Sequence, residues 1–286
     1  MILLLILTIF FSSSLLEKEK TIITLFHVGH GDLFLIETPA NENILIDTGP
    51  TSEAGIHFRN AALPYFKQRG IREIDWLIIT HPHNDHYGGL EYIADNIIIN
   101  NLVITDHFYQ HKVWQDLQLH IDTTLTALHL VRDTTHIALQ KMKSKILHPD
   151  AQFSSSNPNE MSIVLKISFL NFTILFTGDI ESEGEVHLLT HYPHYLDSVF
   201  LKVPHHGSIT SSSPPFIEAV NPQFAFIPTA IRSRFNLPHH TTLQNLDFLE
   251  DRLFISGHDG TIQIVTDGIT ATIQTYGSER KLSVNF

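Results

Sequence analysis

The sequence predicts an α+β fold, a four-layer αββα sandwich in which two sheets pack face to face with helices outside them. Short apolar strands cluster toward both ends of the 286-residue chain, and helical stretches are interspersed among them. Several of these strands end abruptly in histidine or aspartate.

The elements follow in order. Thr21–Phe26, Leu33–Glu37 and Ile44–Asp47 are β-branched and apolar runs separated by Gly, Pro and Asn, which marks them as strands. A helix is expected over Ile56–Gln68, stopped by Gly70. Asp75–Thr80 is continuously apolar toward its end and reads as a buried strand, and a helix follows near Gly89. Positions 100–144 are the least legible. They carry His107, His111, His120, His129 and His136, of which only His107 and His111 have helical i, i+4 spacing; solvent-exposed histidines are expected there. Strands return at Ser162–Phe169 and Phe172–Thr177, with a hairpin turn at Asn171. A helix near Glu181–Thr190, a strand Val199–Pro204, a helix near Pro214–Val220, a strand Phe224–Pro228 and a helix Thr241–Glu250 come next. Strands at Leu253–Ser256, Thr261–Val265 and Ala271–Thr275 close the chain.

Two segments are expected: residues 1–19, hydrophobic, and a single large domain over 20–286. Met1–Leu16 is strongly apolar but short for a membrane span of about 20 residues. It has no Lys or Arg before Lys18 and no clear cleavage site, so three readings stay open: a remnant of a membrane helix, an atypical signal or anchor, or a buried strand. The first two place the remainder beside a membrane, on its extracytoplasmic side.

Composition narrows the chemistry. The formal net charge is -12, so an overall basic field does not hold this chain to nucleic acid, and any DNA contact is local or assisted by cations. There are no cysteines, which excludes disulfides and thiolate metal sites. The 20 histidines acquire meaning only through spacing.

Thr80-His81-Pro82-His83-Asn84-Asp85-His86 places four possible ligands in six residues, directly after a buried strand. Imidazole and carboxylate donors without thiolate suit zinc, manganese or iron. Four such near neighbours cannot readily surround one tetrahedral ion, so His81 and His83 are assigned to one metal, and Asp85 and His86 to a second. Asp179 ends the apolar run Leu175–Thr177 after Gly178, where an unpaired acid is expensive to bury; it suits a carboxylate shared by two cations, or a helix N-cap. His205 and His206 end another strand; one completes a site, and the other is free to bind phosphate or act as an acid, unless the pair is only a polar turn. Asp47 ends Ile44–Ile46 in the same way and is expected to orient a ligand histidine.

With these motifs in place, the chain resembles the metallo-β-lactamase superfamily, whose His-x-His-x-Asp-His loop His81–His86 reproduces, and more narrowly the C-terminal metallo-hydrolase domain of ComEC-type DNA-uptake competence proteins. The stretches that carry the narrower likeness are Phe26–Asp32, Ile44–Gly49, Asn159 with Ser162–Leu165, Thr177–Glu181, and Val203–Ser208 with Ser211–Ser213, in family order. The resemblance implies two divalent ions, zinc or manganese, bridged by Asp179. It implies that Asn159 stands where a histidine ligand is found elsewhere, weakening the first site, and that Asp32 and Ser162 support it. It implies hydrolysis of DNA, single-stranded, beside a membrane channel, with Asp85, Asp179, His205 and His206 in catalytic roles. Two positions depart from the pattern: His30 stands where Gln is usual, and Leu237 stands where the family has His, with His239 or His240 as possible substitutes. The same metal core serves many hydrolyses. An acyl- or ester-directed small-molecule hydrolase, and a non-catalytic DNA-guiding domain, are therefore the rival expectations.

Overall fold

The computed structural model describes residues 19–51 and 55–286; the expectations for residues 1–19 fall almost wholly outside the described residues. Among the described residues no helix is long and apolar enough to cross a membrane.

Among the described residues, fifteen strands form two sheets. They are β1 Thr21–Leu25, β2 Phe34–Glu37, β3 Asn43–Ile46, β4 Glu73–Ile78, β5 Ile98–Thr105, β6 Ala127–Val131, β7 Lys143–His148, β8 Val164–Phe169, β9 Phe172–Phe176, β10 Phe200–Lys202, β11 Phe224–Ile227, β12 Leu253–Ile255, β13 Ile262–Thr266, β14 Thr270–Thr275 and β15 Lys281–Asn285. The nine-stranded sheet runs β15-β14-β13-β1-β2-β3-β4-β5-β6, and the six-stranded sheet runs β12-β11-β10-β9-β8-β7. Strands β3 to β6 are parallel, as are β9 to β12.

The alternation of side chains along each strand creates the layers. Phe34, Ile36, Ile44 and Ile46 point between the sheets, where they meet Ile167, Ile174, Phe176 and Phe200. Leu35 and Leu45, one residue out of phase, point to the other face and pack under Phe58, Phe66 and Ile93 of the helices. Leu175, Leu201 and Ala225 do the same on the second sheet, beneath Leu188, Phe216 and Ile217. These three apolar layers make the αββα sandwich expected from the sequence.

Differences from the sequence expectation are local. The stretch expected as one helix over Ile56–Gln68 is two, Ile56–Ala61 and Leu63–Arg69, separated at Ala62; Gly70 ends the second in a left-handed conformation. The helix expected over Thr241–Glu250 stops at Asn245 and continues as a 3₁₀ segment. Strands β5 and β6, and the start of β7, occupy the illegible stretch; polar Asn100 and Asn101 interrupt β5, and edge strand β6 exposes most of its side chains, so neither shows a clean apolar pattern. The helix around His107 is Asp106–Gln110, and His111 lies beyond it in extended backbone, so the two imidazoles do not share a helical face.

Candidate metal centre

Four of the residue groups singled out for metal chemistry lie just past the carboxyl end of a strand in a parallel set, while Asp32 precedes β2 and Asn159 and Ser162 precede β8. Asp47 follows β3, His81–His86 follow β4, Asp179 follows β9, and His205–His206 follow β10. Parallel strands end at one edge, so loops distant in sequence converge there.

The loop after β4 is more ordered than the sequence suggests: Asn84–Tyr87 makes a single helical turn that turns Asp85 and His86 inward. Gly88 closes it. A Cβ at that position would stand 1.9 Å from the Thr51 backbone nitrogen, so only glycine allows the approach. Gly178 has the same role before Asp179: its φ is +50° and a Cβ would meet Ser162 Cβ at 2.7 Å. His205 and His206 both have positive φ, 46° and 52°, a backbone state that non-glycine residues adopt only when the surroundings impose it. The imposition is visible: His206 Nδ1 donates to the Pro228 carbonyl at 2.7 Å, on the neighbouring strand's exit loop.

Asp85, His86, Asp179 and His206 offer ligand atoms that all lie within 4.8 Å of one another, with His86, Asp179 and His206 buried. His206 Nε2 is 3.1 Å from Asp85 Oδ2 and 3.3 Å from Asp179 Oδ2, and His86 Nε2 is 3.2 Å from the same Asp179 oxygen. Of the histidine pair, His206 therefore faces the cluster. His205 turns to the other side, with Nδ1 3.0 Å from Glu181 Oε1 and Nε2 3.4 Å from Asn159 Nδ2. His81 and His83 face each other beside this group, Nε2 to Nδ1 at 3.0 Å, and the His81 ring lies 4.1 Å from that of His86.

The supporting contacts are equally specific. Asp47 Oδ2 receives His86 Nδ1 at 2.8 Å, and Asp47 Oδ1 accepts from the Thr80 backbone N–H at 2.8 Å. The Asp47 carboxylate thus fixes which imidazole nitrogen faces the cluster. Ser162 Oγ accepts from the Asp179 N–H at 3.0 Å. Asp179 does not cap the following helix, Ser182–His191. That task falls to buried Glu160, whose carboxylate accepts from the backbone N–H groups of Glu181, Glu183 and Gly184 at 3.1, 2.9 and 2.7 Å.

Lys202 was not singled out from the sequence. Side chains alternate along β10, so Lys202 shares the inter-sheet face of Phe200 and points into the centre from below. Its Nζ lies 2.7 Å from Asp32 Oδ2, 3.0 Å from Asp179 Oδ1 and 2.6 Å from the Gly178 carbonyl. Asp32 thereby supports the site through Lys202 and remains 3.5 Å from His206 Nδ1. A lysine at the end of the apolar strand Phe-Leu-Lys-Val was the available signal, since a buried ammonium demands carboxylate partners.

The electrostatics are those of a concentrated carboxylate–imidazole cluster. Burial opposes charge on His86, but Asp179 and Asp47 hold its imidazole protonated well above its ordinary range. Burial likewise opposes charge on His206, yet Asp179 raises it to about 10. Burial works against ionised Asp179, and His206, His86 and Lys202 outweigh it and keep the carboxyl ionised. His81, dominated by burial with no carboxylate as close, is driven toward the neutral imidazole that a metal requires.

The donor set fits divalent cations. Asn159 Oδ1 is buried, without a hydrogen-bond partner among the described residues, at the side of His205. Convergent imidazole and carboxylate atoms beside an orphaned carbonyl oxygen form an oxygen–nitrogen donor set.

A cavity of about 760 Å³ opens over the centre, reached by Asp85, Asp179 and His205 on its floor and by His30 and Leu237 on its walls. His30 Nε2 is 3.3 Å from Asp85 Oδ2, and its ring lies 4.3 Å from that of His206. The position that departs from the family pattern is thus part of the site. His239 and His240 do not line the cavity; His239 caps the helix that follows, accepting from the Thr241 N–H at 3.2 Å.

Comparison with known proteins agrees with this geometry. Residues 28–122 match the model of the metallo-beta-lactamase superfamily. The chain is 27% identical over 266 residues to ComE operon protein 3 of Bacillus subtilis (strain 168), covering 89% of this chain and 34% of that protein. It is 26% identical over 228 residues to competence protein ComA of Neisseria gonorrhoeae, covering 77% of this chain and 29% of that protein. The chain therefore spans about a third of the length of these curated relatives. Among solved structures, the metallo-beta-lactamase fold protein YhfI of Bacillus subtilis superposes with a TM-score of 0.52 at 11% identity, over 92% of this chain and 100% of YhfI. Matched segment, layered sheets and clustered ligands agree: the chain has the metallo-beta-lactamase fold, residues 28–122 are similar to the metallo-beta-lactamase superfamily, and the chain as a whole is similar to ComE operon protein 3 and competence protein ComA.

Proposed function

We propose that this chain is a two-metal phosphodiesterase that cleaves DNA. The carrying observation is the convergence of Asp85 with buried His86, Asp179 and His206 around one point, open on one side to a cavity. His86, Asp85, His206 and Asp179 would hold one cation. His81, His83 and Asp179 would hold the other, with Asn159 as a weak oxygen donor. Bound divalent ions, zinc or manganese, would supply Lewis acidity and an acidified water. The chain's own residues do the rest. Asp47 and Lys202 fix the orientation of His86 and Asp179, and the sandwich excludes water from below. His205, at the cavity side with Glu181 on its Nδ1, would hand a proton to a departing oxygen.

The choice of DNA rests on the competence relatives and on the sequence stretches shared with them, not on the metal ligands, which serve many substrates. The same resemblance, with apolar Met1–Leu16, supports a position for the domain beside a membrane, on its outer side and next to an uptake channel.

Purified protein is incubated with single-stranded and duplex DNA under manganese, zinc or chelator, beside Asp179→Asn. Cleavage that needs metal and disappears in the variant is the expected result. A folded, metal-loaded protein that leaves DNA intact and hydrolyses an acyl ester instead would overturn the proposal, and so would DNA binding without any turnover.

A further inference from the structure

The wall of the cavity opposite the histidine loop is the exit loop of β11, Ala230-Ile231-Arg232-Ser233-Arg234-Phe235-Asn236-Leu237, and the metal chemistry does not use it. Its charge is out of keeping with the chain: in a protein of net charge -12, no Asp or Glu occurs from position 219 to position 246, and Arg232 and Arg234 are the fixed charges of that stretch. Both line the cavity that opens over Asp85 and Asp179. Arg69, Arg132 and Arg280 are tied to the carboxylates of Glu37, Asp106 and Asp259, none of which lines this cavity. Among the described residues neither Arg232 nor Arg234 forms an ion pair. The Arg234 guanidinium instead lies over the Phe235 ring, 4.7 Å from its centroid.

The loop also exposes apolar surface at the mouth of a polar site. Phe235 is 52% exposed and Ile231 66%. The Phe235 ring leans on His30, with centroids 5.1 Å apart, so it is held beside the metal centre rather than free. The base of the loop is pinned: a Cβ on Gly257 would meet Ile231 N at 2.6 Å, so only glycine there lets the two backbones touch. A half-exposed aromatic ring with unpaired guanidinium groups beside it, along a groove, is the combination that grips single strands: the cations track phosphates and the ring stacks a base.

We propose that this loop is a clamp for single-stranded polynucleotide. Arg232 and Arg234 bind phosphates flanking the one at the metal centre, and Phe235 stacks an unpaired base. The inference rests on the phosphodiesterase reading of the same site and adds the determinants of its substrate. It requires an accessible base face, so single strands are preferred over duplex. It also answers how an acidic chain holds a polyanion: locally, through two guanidinium groups and the cations, against an unfavourable overall field.

The test uses the full chain loaded with manganese, and the variants R232Q/R234Q, R232K/R234K and F235A. The probes are a labelled single-stranded oligothymidylate, a duplex of similar length, and bis(4-nitrophenyl) phosphate, which has neither flanking phosphates nor a base. In R232Q/R234Q the ratio of oligonucleotide to small-ester kcat/KM should fall by roughly tenfold or more. The slope of log Kd against log salt should shrink by about 1.4, or about 0.7 for each lost phosphate contact. The double-lysine variant should recover most of the salt slope. Phe235→Ala should weaken oligothymidylate binding roughly 5- to 150-fold and duplex binding far less. Parallel loss on both substrates, or an unchanged salt slope, would overturn the clamp while leaving the phosphodiesterase reading intact. If no phosphodiester is cleaved under any metal, that reading fails instead, and the binding slopes alone decide the clamp.

Discussion

Replacing Lys202 with Met tests whether the metal centre is built on a buried charge balance. Lys202 is 1% exposed, and methionine keeps most of its stem in the space beside Phe200. What disappears is an ammonium 2.7 Å from Asp32 and 3.0 Å from Asp179. At an effective dielectric of about 20, each contact is worth roughly 5–6 kcal/mol of attraction before the cost of burying the ammonium is returned. Asp32 Oδ1 already lacks a hydrogen-bond partner among the described residues, so the variant leaves two poorly compensated carboxylates in the interior. Removing one member of a buried ion pair typically destabilises by about 3–5 kcal/mol. For a domain of this size each kcal/mol shifts Tm by about 2–4 °C, so the chelated variant should melt roughly 6–20 °C below the parent. Divalent metal should narrow that gap, because a cation on Asp179 replaces part of the lost positive charge and stabilises the folded state by mass action. The assay is thermal and urea unfolding of both proteins, in chelator and in manganese. A metal-free loss under about 1 kcal/mol would refute the reasoning, because it would mean that the two carboxylates do not depend on Lys202.

Further outcomes follow from other contacts. Asp47→Ala frees the His86 ring from its 2.8 Å partner, and metal affinity, measured by competition with a chromophoric chelator, should fall about 10–100-fold; an unchanged affinity would remove Asp47 from the orienting role. His206→Ala should lose bound metal as counted by elemental analysis, whereas His205→Ala, directed toward Glu181, should keep its stoichiometry and lose turnover; the reverse pattern would exchange their roles. Burial lifts the Glu185 carboxyl from 4.5 to about 7 against the N–H groups of Ser212 and Ser213. Its folded pKa exceeds its unfolded one, so its contribution is complete below about pH 4.5 and is lost as pH rises through about 7, amounting to about 3 kcal/mol. Glu185→Gln should therefore flatten the stability profile between those pH values, and an identical slope in parent and variant would exclude Glu185 as its source.

Much of the site was legible without coordinates because its grammar is local. His81, His83, Asp85 and His86 lie within six residues after an apolar strand, and Asp47, Asp179 and His205–His206 each end a strand of the same kind. An expensive polar residue at the end of a cheap apolar run implies a partner, even when the partner is unknown. The layered fold was legible for a similar reason, since strands such as Ile44–Ile46 bury both faces and need an apolar layer on each side.

Other features are pairings across the sandwich, and no local pattern contains them. The choice of His206 over His205 depends on two consecutive positive-φ residues held by the Pro228 carbonyl, which send one ring to the cluster and the other to Glu181. Glu160 caps a helix that begins more than twenty positions later, displacing Asp179 from that expectation. His30 is only a departure from the usual Gln in sequence but stands at the cavity wall against Asp85 and Phe235. Lys202 looks like a polar interruption of β10 until the first sheet supplies Asp32 opposite it. Sequence determined which residues are expensive to bury, because that cost belongs to each side chain. The tertiary structure decided which of them neutralise one another, because charge compensation depends on distance, and distance here is set by two sheets packed face to face.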